Sequence, residues 1–129
     1  MRTLVRTLVA ASLSVVLVVP ASANLSGIWE IETKDSRYDV TMCGDGTELC
    51  AELIWLGNGG DTAENLPYLN TLLIDEARPV GPNKWKGELN LFGQTASGTI
   101  TRLGEDTVRI QGCVLFVVCK SYKLHRYVE

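Results

Sequence analysis

The residues of this chain with the clearest capacity for chemistry are four cysteines and a single histidine. Cys43 and Cys50 are separated by six residues, and Cys113 and Cys119 by five. Four cysteines can ligate zinc, act as nucleophiles or form two disulfides. These spacings are too wide for a zinc knuckle, and an even number of cysteines in a short exported chain is typical of a disulfide framework.

The other candidate groups do not assemble into a catalytic site. Alternation along its strand places His125 on the solvent face, where no Ser-His-Asp or Cys-His arrangement can be identified. The glycine-rich residues 57–60 precede neither a helix nor a Lys-Ser/Thr pair, so they indicate a turn and not a phosphate loop. The sequence therefore predicts a protein that is not an enzyme, with no catalytic residue, cofactor or metal.

The amino terminus has the layout of a secretory signal. Arg2 and Arg6 precede an apolar run over residues 7–19, and Ala21-Ser22-Ala23 supplies the small residues of a cleavage site. The run is about 13 residues, whereas a membrane span needs roughly 20. We predict that residues 1–23 are a cleaved signal peptide, that no membrane span remains after cleavage, and that the protein is periplasmic or secreted.

Residues 24–129 have the length of one domain. Loss of the two arginines of the signal leaves 10 basic and 15 acidic side chains out of the 12 and 15 in the whole chain, a net charge near −5. That charge opposes binding to nucleic acid or to an anionic lipid surface.

This domain alternates apolar and polar residues in short runs separated by Gly, Pro, Asn and Asp, which is typical of half-buried strands. The runs predict eight strands, at residues 26–33, 37–43, 49–56, 71–77, 84–92, 94–103, 107–114 and 119–128. Short links between consecutive strands favour an all-β, antiparallel up-and-down barrel, in which closure removes exposed edges. A β-sandwich is the alternative.

The barrel topology restricts how the cysteines pair. Cys43 and Cys50 flank the second turn and Cys113 and Cys119 flank the seventh, so the two pairs lie at opposite ends. Disulfide Cα atoms are only about 4.4–6.8 Å apart. We therefore predict the hairpin disulfides Cys43–Cys50 and Cys113–Cys119, with all four side chains on the outer face.

All three tryptophans fall on the inward parity of the predicted strands. Trp29 opens the first strand and Arg126 closes the eighth, so in a closed barrel they meet at one end, where a cation–π contact would plug it. The opposite end, with the loop at 57–70 and the turn at 114–118, is then the open mouth. Gly87, Gly98 and Gly112 also point inward, where they either leave a cavity or mark bends of the wall.

Candidate ligand-binding residues are Trp55 and Trp85 in the interior, Tyr68 in the long loop and Phe116 in the seventh turn. That turn, Leu115-Phe116-Val117-Val118, lacks the Gly, Asn, Asp or Pro that tight turns use. Two interpretations stay open: the tip lies at the mouth as a lid or docking element, or it folds back and belongs to the core.

Several blocks resemble a known family. Gly27-Ile28-Trp29 resembles the opening of lipocalin-like barrels, and the two cysteine blocks, at residues 40–56 and 112–121, resemble small bacterial envelope proteins known as domain of unknown function 2147. Residues 85–87 and Arg126 extend the likeness over nearly the whole domain. The resemblance implies a calycin-type barrel and no established activity.

The chain departs from that family at two places. The Asp, Asn and Pro-rich segment after the third strand is reduced to residues 61–67, and Leu124-His125-Arg126 replaces a Trp-x-Arg ending. The predicted function is binding of a small apolar or amphipathic ligand in the barrel mouth. The alternative is a protein-interaction module of the envelope, an inhibitor or scaffold.

Overall fold

A computed structural model describes residues 12, 24–115 and 117–128. It contains eight strands. These are β1 (Gly27–Ile31), β2 (Ser36–Cys43), β3 (Glu48–Leu56), β4 (Leu72–Gly81), β5 (Lys84–Leu91), β6 (Gln94–Arg102), β7 (Thr107–Val114) and β8 (Val118–Arg126). One turn of 3₁₀ helix, Leu66–Tyr68, lies between β3 and β4. No helix among the described residues is long and apolar enough to cross a membrane.

The strands form a closed antiparallel barrel in sequence order, and β1 pairs with β8 to complete it. The predicted up-and-down barrel is confirmed, and the β-sandwich alternative is wrong. All predicted strand limits lie within two residues of the observed ones, except at β4. Alternation and turn residues were reliable guides because each strand has one buried face and one solvated face.

Strand β4 is longer than predicted, because Pro79 does not end it. Glu76 adopts a left-handed backbone with φ of 52°. The register with β5 shifts between Ile74 and Arg78, after which Pro79 pairs with Trp85. Pro79 thus follows a β-bulge, and bulges are one of the few places in a sheet where proline is tolerated.

The predicted inward orientation of Trp55 is wrong, because β3 also carries a bulge. Arg37 pairs with Trp55 but Tyr38 pairs with Leu53, so Ile54 is an extra residue. One extra residue reverses the alternation and turns Trp55 to the outer face. There the Arg37 guanidinium lies between two aromatic rings, 3.8 Å from the Trp55 centroid and 3.9 Å from that of Tyr127.

The end of the barrel that contains the chain segment before β1 is closed by packed side chains. The Trp29 indole is 1% exposed and donates its Nε1–H to the Leu25 carbonyl at 2.8 Å. Arg126 lies 4.6 Å from the Trp29 ring centroid and donates to Ser26 O at 3.0 Å and Asp106 Oδ1 at 3.2 Å. These contacts bring together the two residues proposed as the barrel-end plug.

The two hairpin disulfides are confirmed. Cys43–Cys50 joins β2 to β3 at the closed end, and Cys113–Cys119 joins β7 to β8 at the opposite end. Both lie on the outer face, since their strand neighbours Met42, Leu49 and Gly112 point inward. All four sulfurs are used in these bonds, so none is a thiolate ligand for zinc.

Candidate ligand cavity

The end opposite Trp29 opens into a cavity of about 610 Å³. The connections at 32–35, 57–71 and 92–93, together with residues 115 and 117, surround this mouth. Its walls are mainly apolar, and its apolar lining residues on the strands are Ile31, Tyr38, Leu56, Leu73, Leu91, Ile110, Val114, Val118, Tyr122 and Leu124. The size falls within the range of small-molecule sites, and the walls have the apolar character typical of them.

The cavity ends halfway down the barrel. Tyr38, Leu73, Ile110 and Leu124 line it and also border the packed lower half, where a residual void of only about 20 Å³ remains. These four side chains therefore form a floor. The lower half supplies the rigid core, and the upper half is hollow.

A row of inward glycines explains part of this division. Gly87, Gly98 and Gly112 are cross-strand partners on β5, β6 and β7. At Gly98 a Cβ atom would overlap the Cγ of Leu89, so the missing side chain makes room for core packing. At Gly112 the nearest atom to such a Cβ, in Leu89, is 3.4 Å away, and Gly112 borders the cavity. The cavity interpretation therefore applies at Gly112, whereas the space beside Gly98 is filled by Leu89.

Lys120, on β8, faces the cavity beside Gly112, its cross-strand partner on β7. Among the described residues that line the cavity it is the one cation, and it makes no ion pair within the described part of the chain. Lys120 was not among the residues predicted to bind ligand. Its parity was the available signal, because it lies two residues before Tyr122 and four before Leu124.

A pair of buried hydroxyl groups also lines the cavity. Ser36 and Tyr38 are each 4% exposed, and Ser36 Oγ donates to Tyr38 Oη at 3.0 Å. Burial raises the pKa of Tyr38, the Ser36 hydrogen bond lowers it by less, and the nearby charge of Asp35 raises it further. The phenol is therefore a neutral hydrogen-bonding group at physiological pH.

The turn between β7 and β8 lies at the rim of the mouth. Leu115 and Val117 are 81% and 82% exposed, and Leu115 and Val118 line the cavity opening. The interpretation that this tip folds back into the core is wrong for the residues described; Phe116 lies outside them. The Cys113–Cys119 disulfide closes the base of the tip and restrains it.

Replacing Leu115 and Val117 together with serine is expected to change the free energy of unfolding by less than about 0.5 kcal/mol, as is usual at exposed positions. Urea unfolding under non-reducing conditions measures this change. Leu124→Ser, on the buried floor, is the comparison and should lower the free energy of unfolding by several times as much. A loss of more than about 1.5 kcal/mol in the tip variant would show that the tip packs as core.

The four residues predicted to bind ligand are not brought together. Trp55 lies on the outer wall, and Trp85 lies at the closed end, where its Nε1–H donates to Thr47 O at 3.1 Å. Tyr68 packs edge-to-face on Phe92 with centroids 5.7 Å apart, beside the mouth and not among the residues that line the cavity. Phe116 is outside the described residues. Trp55 and Trp85 thus lie away from the cavity, on the outer wall and at the closed end.

The histidine is exposed on the outside of β8, with Nδ1 3.4 Å from Thr107 Oγ1. Within the described ranges, no cluster of three or more His, Cys, Asp or Glu side chains could hold a metal ion.

Comparison with known proteins identifies one similar solved structure. Protein HP1028 from the human pathogen Helicobacter pylori, described as belonging to the lipocalin family, superposes with a TM-score of 0.63 over 82% of this chain and 84% of its own, at 15% identity. The chain has a lipocalin-like fold. No model of a known protein family matches, and neither does any curated protein. Membership of the envelope family that the sequence resembles therefore stays a prediction.

Proposed function

We propose that this protein binds a small apolar or amphipathic ligand in the mouth of its barrel. The observation that supports the proposal is the cavity of about 610 Å³, with apolar walls and an opening to solvent. Eight-stranded barrels of the lipocalin kind have an interior large enough to hold one small ligand. Burial of an apolar ligand against these walls would supply the main driving force.

The distribution of polar groups suggests how such a ligand would lie. Lys120, Gln94 and Asp35 line the cavity from the strand ends and the connection at the mouth. The floor below them is formed by Leu73, Ile110, Leu124 and the Tyr38 ring. An amphipathic ligand would therefore place its apolar body inward and its charged or strongly polar group at the rim.

We further propose that the protein acts in the periplasm, without catalysis, after removal of residues 1–23. The signal-like sequence of these residues supports export, and two disulfides suit an oxidising compartment. Apart from residue 12, the signal lies outside the described residues. The lipocalin-like fold is typical of binding proteins and supports a role without catalysis.

The variant Gly112→Phe tests ligand binding, because it adds a large side chain to the cavity wall without removing any existing group. We expect the affinity for N-phenyl-1-naphthylamine, a neutral apolar dye that fluoresces in apolar sites, to fall at least about tenfold, equivalent to roughly 1.4 kcal/mol. The measurement is a fluorescence titration of protein purified from the periplasm after expression of the full chain.

The matched control is Gln111→Phe, which puts the same side chain on the neighbouring, exposed position of β7. It should leave dye affinity unchanged. An equal loss of dye affinity in both variants, or undiminished dye binding by Gly112→Phe, would contradict the proposal that the cavity is the binding site.

A second candidate function is an envelope protein-interaction module, such as an inhibitor or scaffold. The exposed tip at Leu115 and Val117 favours it, since a disulfide-restrained apolar tip loses little conformational entropy on docking. Native mass spectrometry of protein from its own periplasm separates the two candidates. A co-purified small mass supports ligand binding, whereas a protein adduct removed by serine at Leu115 and Val117 supports docking.

A further inference from the structure

The hydroxyl groups of Ser36 and Tyr38 carry one more hydrogen than the hydrogen bond between them uses. Two hydroxyl groups carry two hydrogens. One hydrogen forms the bond between Ser36 Oγ and Tyr38 Oη, and the other has no acceptor among the described residues. Both side chains line the cavity and are more than nine-tenths buried.

The described protein groups around this pair do not accept the remaining hydroxyl hydrogen. Leu56 is the β3 partner of Ser36, and Leu73 borders the cavity beside Tyr38. The Asp35 carboxylate accepts from Thr33 Oγ1 at 2.7 Å and the Asp35 carbonyl accepts from Gly57 N at 3.1 Å, and among the described residues neither group is hydrogen-bonded to the Ser36 or Tyr38 hydroxyl. Solvent reaches the open cavity and can accept the remaining hydrogen. A ligand that fills the cavity displaces that solvent.

We infer that the natural ligand carries a neutral hydrogen-bond acceptor, such as a ketone, quinone or ester carbonyl, that accepts the spare hydroxyl hydrogen of the Ser36–Tyr38 pair. This inference rests on the proposed function and narrows its ligand to apolar carbonyl compounds. A wholly apolar ligand would leave a buried donor without a partner, which lowers its affinity.

The charges near the pair favour a neutral acceptor over an anion. Asp35 lies close enough for its charge to act on the Tyr38 phenol, so it would repel an anion placed there. The apolar floor offers an anion no compensating charge. Lys120, across the mouth, is the position for any acidic group of the ligand.

Two ligands of the same carbon skeleton test the inference: 2-acetylnaphthalene and 2-ethylnaphthalene, which differ by the carbonyl oxygen. Each is measured by displacement of N-phenyl-1-naphthylamine from protein made from the full chain. The double variant Ser36→Ala/Tyr38→Phe removes both hydroxyls and leaves no partner unpaired, so it should fold with little change. We expect it to weaken 2-acetylnaphthalene binding roughly two- to tenfold relative to 2-ethylnaphthalene, the range of one net hydrogen bond.

The control is Tyr122→Phe, which removes the hydroxyl of another cavity tyrosine and should leave the ratio of the two affinities unchanged. Urea unfolding and dye affinity of each variant show that it is folded. An unchanged ratio in the double variant, or failure of both naphthalenes to displace the dye from wild-type protein, would overturn the inference while the proposed function stands. Failure of wild-type protein to bind the dye would instead count against the proposed function.

Discussion

Replacement of Trp29 with alanine is expected to lower the free energy of unfolding by about 3–5 kcal/mol. The indole is buried at the closed end, bonded to Leu25 O and covered by the Arg126 guanidinium. Its removal loses the transfer free energy of a large aromatic group and leaves a void that the closed sheet cannot easily fill. Small domains have only about 5–15 kcal/mol of stability, so the loss should be evident in urea unfolding followed by circular dichroism.

Trp55→Ala is the matched comparison, because it makes the same change on the outer wall. It loses a cation–π contact with Arg37, worth about 0.5–1 kcal/mol at an exposed site, and some partly buried area. We expect a total cost of about 1–2 kcal/mol. Equal losses for Trp29→Ala and Trp55→Ala would contradict the described orientation of these two tryptophans.

Gly98→Ala is expected to cost about 1–3 kcal/mol, although it adds a single methyl group. The new Cβ would overlap Leu89 Cγ, and Leu89 is itself 0% exposed and surrounded by core. Neither its side chain nor the closed sheet around it has free space into which to move. The destabilisation should appear in the same urea unfolding measurement under non-reducing conditions.

Gly112→Ala is the control for this substitution, since Gly112 is the cross-strand partner of Gly98 and neither residue has a left-handed backbone. A Cβ at Gly112 meets neighbours only at ordinary contact distance, 3.4 Å or more. Alanine there should leave stability unchanged or raise it by up to about 1 kcal/mol through reduced freedom of the unfolded chain. If Gly98→Ala were as well tolerated as Gly112→Ala, the interior would be less closely packed than described.

The sequence alone was sufficient for most of the architecture. Strand β7 begins and ends at the predicted residues, and the disulfides follow from the position of each cysteine pair relative to its turn. Such features depend on local patterns: alternation, turn residues and the rule that successive turns of a barrel lie at alternating ends. Trp29 and Arg126 meet for the same reason, because closure of the barrel pairs the first strand with the last.

Which residues line the candidate site could be determined only from the tertiary structure. Trp55 faces outward because of one extra residue at Ile54, and the bulge that creates it arises from the pairing of β2 with β3, which no alternation within β3 reveals. Lys120 meets Gly112, and Leu89 fills the space at Gly98 but not at Gly112, only through the register of neighbouring strands.

Local alternation thus determined which face of most strands is buried, since each residue's parity is a property of its own strand. Whether that buried face is packed or hollow was decided by side chains from distant strands meeting in three dimensions. The same inward parity holds for Trp29 in the filled half and for Tyr122 in the cavity wall. Whether the interior is filled at a given height depends on the combined volume of the inward side chains from all eight strands at that height. Those side chains come together only when the barrel has closed.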